Sequence, residues 1–184
     1  MVKMEMFFVI FGFTILGTFI LNENKRNIMS NELLTYMQFA NNALAIADSY
    51  MERFNELFFD ENVTKTKLGP DEYNKESELS NSLGKDSGES DETTFDDVDD
   101  YHDFSKIVSV PKVGDLVVNI RVYYYDLNNL KITTSKSFYK LAIITVRDTV
   151  LGNPNIYFMG DGAKKYEVRR ELLCSHYYLK EWKF

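Results

Sequence analysis

The chain has 184 residues, 45% hydrophobic and 15% aromatic, with a formal net charge of −7, enough apolar material for one modest packed domain plus attachments. The charge is uneven: residues 60–103 hold 15 acidic and 4 basic side chains, and the remainder holds 13 acidic and 17 basic. An acidic chain without a basic stripe and interleaved aromatics repels a phosphate backbone, which argues against nucleic acid as a partner, and the single cysteine, Cys174, excludes an intrachain disulfide.

Met6–Leu21 reads MFFVIFGFTILGTFIL, 16 residues without a charge. A full bilayer span needs roughly 20 apolar residues, and Asn22, Asn24, Lys3 and Lys25 can complete it at the headgroup level. Three readings compete. A cleaved signal peptide would need a small-residue site, but the run ends in Asn22-Glu23-Asn24-Lys25-Arg26. A buried core helix would need a polar face that the run lacks. A retained single-pass anchor in contact with the lipid bilayer is therefore expected. Lys3 on one side and Lys25 with Arg26 on the other leave almost no charge bias for orientation; the C-terminal domain is expected to be exported.

Past the anchor, Leu33, Met37, Ala40, Leu44, Ala47, Met51, Phe54 and Phe58 recur at alternating spacings of four and three, with Tyr36, Ala43, Tyr50 and Leu57 widening the face. That pattern predicts an amphipathic helix. Between Thr18 and Phe59 there is no Pro or Gly to break it, although Ser30 could cap a fresh start. The stripe is expected to lie on the chain's own sheet rather than on a partner's coiled coil.

Residues 60–92 are rich in acidic, amide and hydroxyl residues and carry turn clusters at Leu68-Gly69-Pro70-Asp71 and around Gly84 and Gly88, so a long exposed loop is expected. Phe95-Asp96-Asp97-Val98-Asp99-Asp100-Tyr101-His102-Asp103 follows. The plain expectation is a solvated acidic loop whose Phe95 and Tyr101 dock on the domain. The competing one is calcium, which takes several carboxylate oxygens, with Asp96, Asp97, Asp99 and Asp100 as the candidate ligands and Asp103 beside them. The spacing is not that of an EF-hand. His102 adds a transition-metal alternative. No other cofactor and no small-molecule substrate is implied.

Beyond Ser105 the period changes to two. Lys106–Val110, Leu116–Asp126 and Phe138–Val146 are predicted strands, with Val118, Ile120, Val122 and Tyr124 on one face of the second and Phe138, Lys140, Ala142, Ile144 and Val146 on one face of the third. Pro111, Asn128-Asn129, Gly152-Asn153-Pro154 and Gly160-Asp161-Gly162 mark turns. Glu167–Tyr178 is predicted as a last strand, because Tyr177, Tyr178 and Trp182 favour one, over a short helix at 169–179. The expected fold class is thus α+β: a long N-terminal helix, half membrane and half amphipathic, on an antiparallel sheet of about four strands. The expected division is 1–59 helix, 60–104 acidic variable region and 105–184 β domain.

Cys174 and His176 would share a strand face, which invites a thiol-nucleophile reading. No orienting carboxamide or acid and no oxyanion loop accompanies them, so no catalytic residue is assigned and an enzyme is not expected.

This layout resembles the type IV pilin-like proteins, including minor pilins and secretion pseudopilins. Ala47–Phe54 followed by Phe59-Asp60-Glu61 is similar to the helix end of minor pilin-like proteins, and Phe95–His102 and the strand from Phe138 are similar to segments of biogenesis pilins of the mannose-sensitive haemagglutinin type. A clear prepilin peptidase site is missing: Gly12-Phe13-Thr14-Ile15-Leu16 is superficially alike, but Gly17 stands where the family has glutamate. The resemblance implies a structural or assembly subunit of a pilus-type filament or secretion machine, held in the inner membrane. Its partners would be other pilin-like subunits. Glu5, just before the apolar run, would be the assembly carboxylate that pairs with a neighbouring subunit's amino terminus.

Overall fold

A computed structural model describes residues 2–62, 76–149 and 166–176. The turn clusters at 68–71, 152–154 and 160–162, together with Tyr177, Tyr178, Trp182 and the side chain of Lys3, lie outside the described residues. The fold is α+β, with one long N-terminal helix and a five-stranded antiparallel sheet. It forms two units, Met1–Phe39 and Ala40–Phe184.

The first unit is helix alone. Helix α1 runs Val2–Phe54 without interruption, as expected where no proline intervenes. Its large apolar side chains from Met4 to Met37 are all exposed. The threonines Thr14, Thr18 and Thr35 turn their hydroxyls onto backbone carbonyls three or four residues back, at 2.8, 2.8 and 2.9 Å. This arrangement leaves little on the apolar surface for water to bind. Glu5 lies in the first turn, where a carboxylate is favoured by the helix dipole.

The second unit begins with the last turns of α1. Ala43, Ala47, Tyr50 and Phe54, then Leu57, are buried at spacings of four, three, four and three. The predicted stripe differs in two respects. The buried line combines Ala47 and Phe54 of the stripe with Ala43, Tyr50 and Leu57 of its flanking row, and Leu33 and Met37 are 58% and 51% exposed. Periodicity reports a face; it does not report how far along that face a sheet extends.

The sheet order is β1-β2-β4-β5, with β3 also on β2; the strands are Phe104–Val110, Gly114–Asp126, Lys131–Thr133, Tyr139–Asp148 and Glu167–Ser175. The predicted strands are present, the last as strand over Glu167–Ser175 but stopping before His176, which was expected to share its face with Cys174, and the short β3 is an addition that alternation over three residues could not signal. Strands β1 and β2 turn through Lys112 and Gly114, whose φ angles of 68° and 113° suit glycine at the second position. Asp126 closes the next turn by accepting the backbone N–H of Asn128 and Asn129.

Alternation sorts the faces as predicted. Leu116, Val118, Ile120, Val122 and Tyr124 of β2 and Ala142, Ile144 and Val146 of β4 are buried. The helix end packs over this face: Tyr50 meets the ring of Phe104 at 6.0 Å, and Arg170 of β5 pairs with Asp48 at 3.2 Å. Each fully buried aliphatic contributes roughly 1.5–3 kcal/mol.

Candidate functional site

Most of the acidic segment is buried rather than solvated, with Asp96 and Asp103 exposed. Asp97, Asp99 and Asp100 are each 1% exposed, and Val98 and Tyr101 are fully buried. Two backbone bonds pin it to the chain after α1: Phe58 N–H donates to the Asp96 carbonyl at 2.9 Å, and Val98 N–H to the Phe58 carbonyl at 3.0 Å. The expected docking of Phe95 and Tyr101 is observed. Tyr101 sits at the centre of an aromatic cluster, 4.9 Å from Phe95, 5.0 Å from Phe54, 5.3 Å from Phe104 and 6.0 Å from Tyr50. Edge-to-face pairs of this kind add about 0.5–1.5 kcal/mol each beyond their burial.

Aspartates 97 and 100 cap the short 3₁₀ turn Asp99–Tyr101 reciprocally. Asp97 Oδ1 accepts N–H bonds from Asp99 and Asp100, and Asp100 Oδ2 accepts them from Asp96 and Asp97. These bonds explain why carboxylates occupy both positions.

Asp99 has another task. Its Oδ1 lies 2.6 Å from Nζ of Lys140, which is fully buried on β4. The same ammonium donates to Asp60 Oδ2 at 3.1 Å and to the Phe59 carbonyl at 2.6 Å, and it lies 4.5 Å from the Phe59 ring centre. Asp60 is also buried and takes the backbone N–H and hydroxyl of Ser80. Burial alone would lower the pKa of Lys140, but the charges of Asp99, Asp60 and Asp97 outweigh it and hold the ammonium above its usual value. At Asp60, burial pushes up, while Lys140 and the Ser80 bonds prevail and hold the carboxyl below the usual range. Three segments distant in sequence thus meet at one buried cation: the chain after α1, the acidic segment and β4.

Asp97 faces the opposite situation. Its Oδ2 is buried and receives no hydrogen bond, and the neighbouring Asp99 carboxylate can only accept. Burial first, then the charge and contact of Asp99, push its carboxyl well above the usual range, with Lys140 opposing. Asp100 is pushed up likewise, by burial and then by the side chain of Glu89.

The four predicted calcium ligands therefore separate. Asp96, Asp97 and Asp100 each place an oxygen within 4.8 Å of the others, and Asp96 also joins Glu61 and Glu89 in a second such group. Asp99 is taken by Lys140. The Nδ1 of His102 lies 2.6 Å from the Val122 carbonyl, to which it donates. Lys140, Asp60 and Glu89 are the residues that the sequence reading missed.

Cys174 and His176 are both buried. Cys174 pairs with Lys140 across β5 and β4, and burial pushes its thiol up to about 12, with Lys140 opposing. A nucleophile needs the thiolate, and this environment favours the thiol. His176 is flanked by the rings of Phe59 and Phe138 at 5.5 and 5.3 Å.

The other surface with functional character is α1 before residue 40. Within Met4–Phe54 an 18-residue window reaches a mean hydropathy of 2.1 with none of it buried, so this helix is long and apolar enough to cross a membrane. No family model matches the sequence, and no curated protein or solved structure matches it.

Proposed function

We propose that this chain is a single-pass, membrane-anchored structural or assembly subunit, minor pilin-like or pseudopilin-like, of an envelope filament or secretion machine. The observation that carries this reading is α1 itself: an unburied apolar stretch followed, in one unbroken helix, by turns that pack on an antiparallel sheet. Residues 4–22 give about 28 Å of helix at 1.5 Å per residue, close to the hydrocarbon thickness of about 30 Å.

The mechanism is mechanical. The apolar half holds the chain in the inner membrane or bundles with the same half of other pilin-like subunits, and the β unit, outside the membrane, presents a surface. Glu5 is the carboxylate placed to meet a neighbouring subunit's amino terminus. Nothing in this role calls for catalysis, and the protonated, buried Cys174 agrees with that.

Deleting residues 6–21 tests the anchor: the shortened chain should leave the membrane fraction and remain folded. Continued membrane association would overturn the anchor. Assembly is tested in cells with Ile10→Cys, which should crosslink to cysteines at matching positions of pilin-like subunits. Crosslinking no greater than to an unrelated single-span protein would overturn the subunit reading and leave a tethered domain.

A further inference from the structure

A buried ion pair by itself is a structural device. What surrounds the pair of Lys140 and Asp99 gives it further chemistry. Nζ of Lys140 lies 2.6 Å from Oδ1 of Asp99, so a primary nitrogen stands against a carboxyl group whose electrophilic carbon, Cγ, is one bond further. On the lysine side, Asp60 Oδ2 at 3.1 Å is a carboxylate able to take a proton from that nitrogen. On the aspartate side, the carboxyl of Asp97 lies against that of Asp99. Asp97 Oδ1 accepts the backbone N–H of Asp99 and Asp100, and Oδ2 receives no hydrogen bond, so the proton that its raised carboxyl holds sits on Oδ2.

An amine, a carboxyl group, a proton acceptor and a proton donor are therefore held together. The place is closed to water: Lys140 and Asp60 are fully buried, and Asp97 and Asp99 are 1% exposed. The rings of Phe59 and Tyr124 wall it, with centres 4.5 and 5.5 Å from Nζ.

We propose that the folded chain crosslinks itself here: Nζ of Lys140 and Cγ of Asp99 form an amide bond with loss of one water, joining β4 to the acidic segment. Asp99 enters as its carboxylate. Lys140 passes one ammonium proton to Asp60, and the lone pair that this frees forms the bond to Cγ. Asp97 protonates one Asp99 oxygen, which leaves as water with a second proton from the nitrogen while the other oxygen re-forms the C=O. Asp60 then returns its proton to Asp97. Both carboxyls finish as they began, and the sum is ammonium plus carboxylate to amide plus water. The surrounding carboxylates favour the ammonium, which slows the first step. Yet the reaction occurs only once in each chain, and two groups held in contact react as if at about 10⁵–10⁸ M. Exclusion of water then protects the product from hydrolysis. Chain that has not condensed holds the ion pair described above; condensed chain carries a covalent bridge between positions 41 apart in sequence.

This reaction goes beyond the assembly role, and its test does not depend on that role. The full chain, purified in detergent, is denatured and its intact mass measured, then digested with trypsin. It should be lighter by one water than the sum of its residues. Residues 86–106 and 137–147 should emerge as one branched peptide, uncut after Lys140. Lys140→Arg keeps the positive charge and should regain the full mass. Asp97→Asn keeps an oxygen for the cap but has no acidic proton to give, and after synthesis it should link at least about 100-fold more slowly than the parent. The proposal is overturned if the parent chain has its full mass, if its two peptides emerge separately, which would put any water loss at a cyclised aspartate, or if Lys140→Arg is lighter by one water as well. Linking of Asp97→Asn as fast as the parent would overturn the proton transfer from Asp97.

Discussion

The ammonium of Lys140 and the carboxylate of Asp99 meet 2.6 Å apart with essentially no exposure of either side chain. One comes from the second-longest strand of the sheet and the other from a three-residue turn in the acidic segment. Asp60 completes the arrangement from the chain after α1. This buried pairing, more than any loop sequence, makes the acidic segment part of the folded unit.

Removing the cation should expose that dependence. Lys140→Met keeps the stem volume but leaves Asp60 and Asp99 buried without a counter-charge, and breaking a buried pair from one side costs about 3–5 kcal/mol. Urea unfolding of the full chain in detergent should show a loss of that size. Adding Asp99→Asn to the Lys140→Met variant should recover part of it, because one uncompensated charge is gone. A loss below about 1 kcal/mol, the scale of an exposed pair, would mean that the cluster is not closed to water.

Asp97 predicts a pH dependence of definite sign. Its folded-state carboxyl is raised from 3.8 toward about 10, so folding takes up a proton. The stability tied to that proton is fully present below the ordinary carboxylate range and is lost progressively as pH rises from there toward 10. Asp60 is lowered, and its contribution disappears only in acid, as pH falls through its folded value. Asp97→Asn mimics the uncharged form and should flatten the decline in unfolding midpoint between neutral and alkaline pH, measured with a chelator present. An identical slope in the variant would show that Asp97 is already ionised in the folded chain.

How far the sequence disclosed this depends on what each feature needs in order to be seen. The strands were legible because Val118, Ile120 and Val122 alternate strictly, and so was the docking of Phe95 and Tyr101. Lys140 was legible in position and overlooked in meaning. It shares parity with Ala142, Ile144 and Val146, the buried face of β4, and a lysine in that row demands buried carboxylates. An abundance of aspartates nearby was the other half of the signal. Which aspartate goes to the lysine and which to the backbone is set by a turn of three residues, and spacing does not encode that. The extent of the helix cover was illegible for a different reason: Leu33 and Ala47 obey one periodicity, yet only Ala47 is buried.

That contrast between two positions on one helix can be measured. Ala47 is fully buried in the unit that contains the sheet, so Ala47→Leu forces extra volume into a packed layer and should cost about 1–3 kcal/mol. Leu33 is mostly exposed, and Leu33→Gln should alter the unfolding free energy by less than about 0.5 kcal/mol. Equal losses at the two sites would mean that the cover on the helix extends back to residue 33.

The buried thiol offers a direct probe of how tightly β5 closes this face. Cys174 is 4% exposed and lies opposite Lys140 in the β4–β5 register. Burial raises its pKa to about 12, so at neutral pH both access and thiolate are scarce, and reaction with a disulfide reagent requires opening of the strand. The native chain should react at least about 100-fold more slowly than the chain in denaturant, and Lys140→Met, by loosening the layer beneath, should shorten that gap. Rapid labelling of the native parent chain would place β5 away from the sheet for much of the time and would undo the packing on which the buried cluster depends.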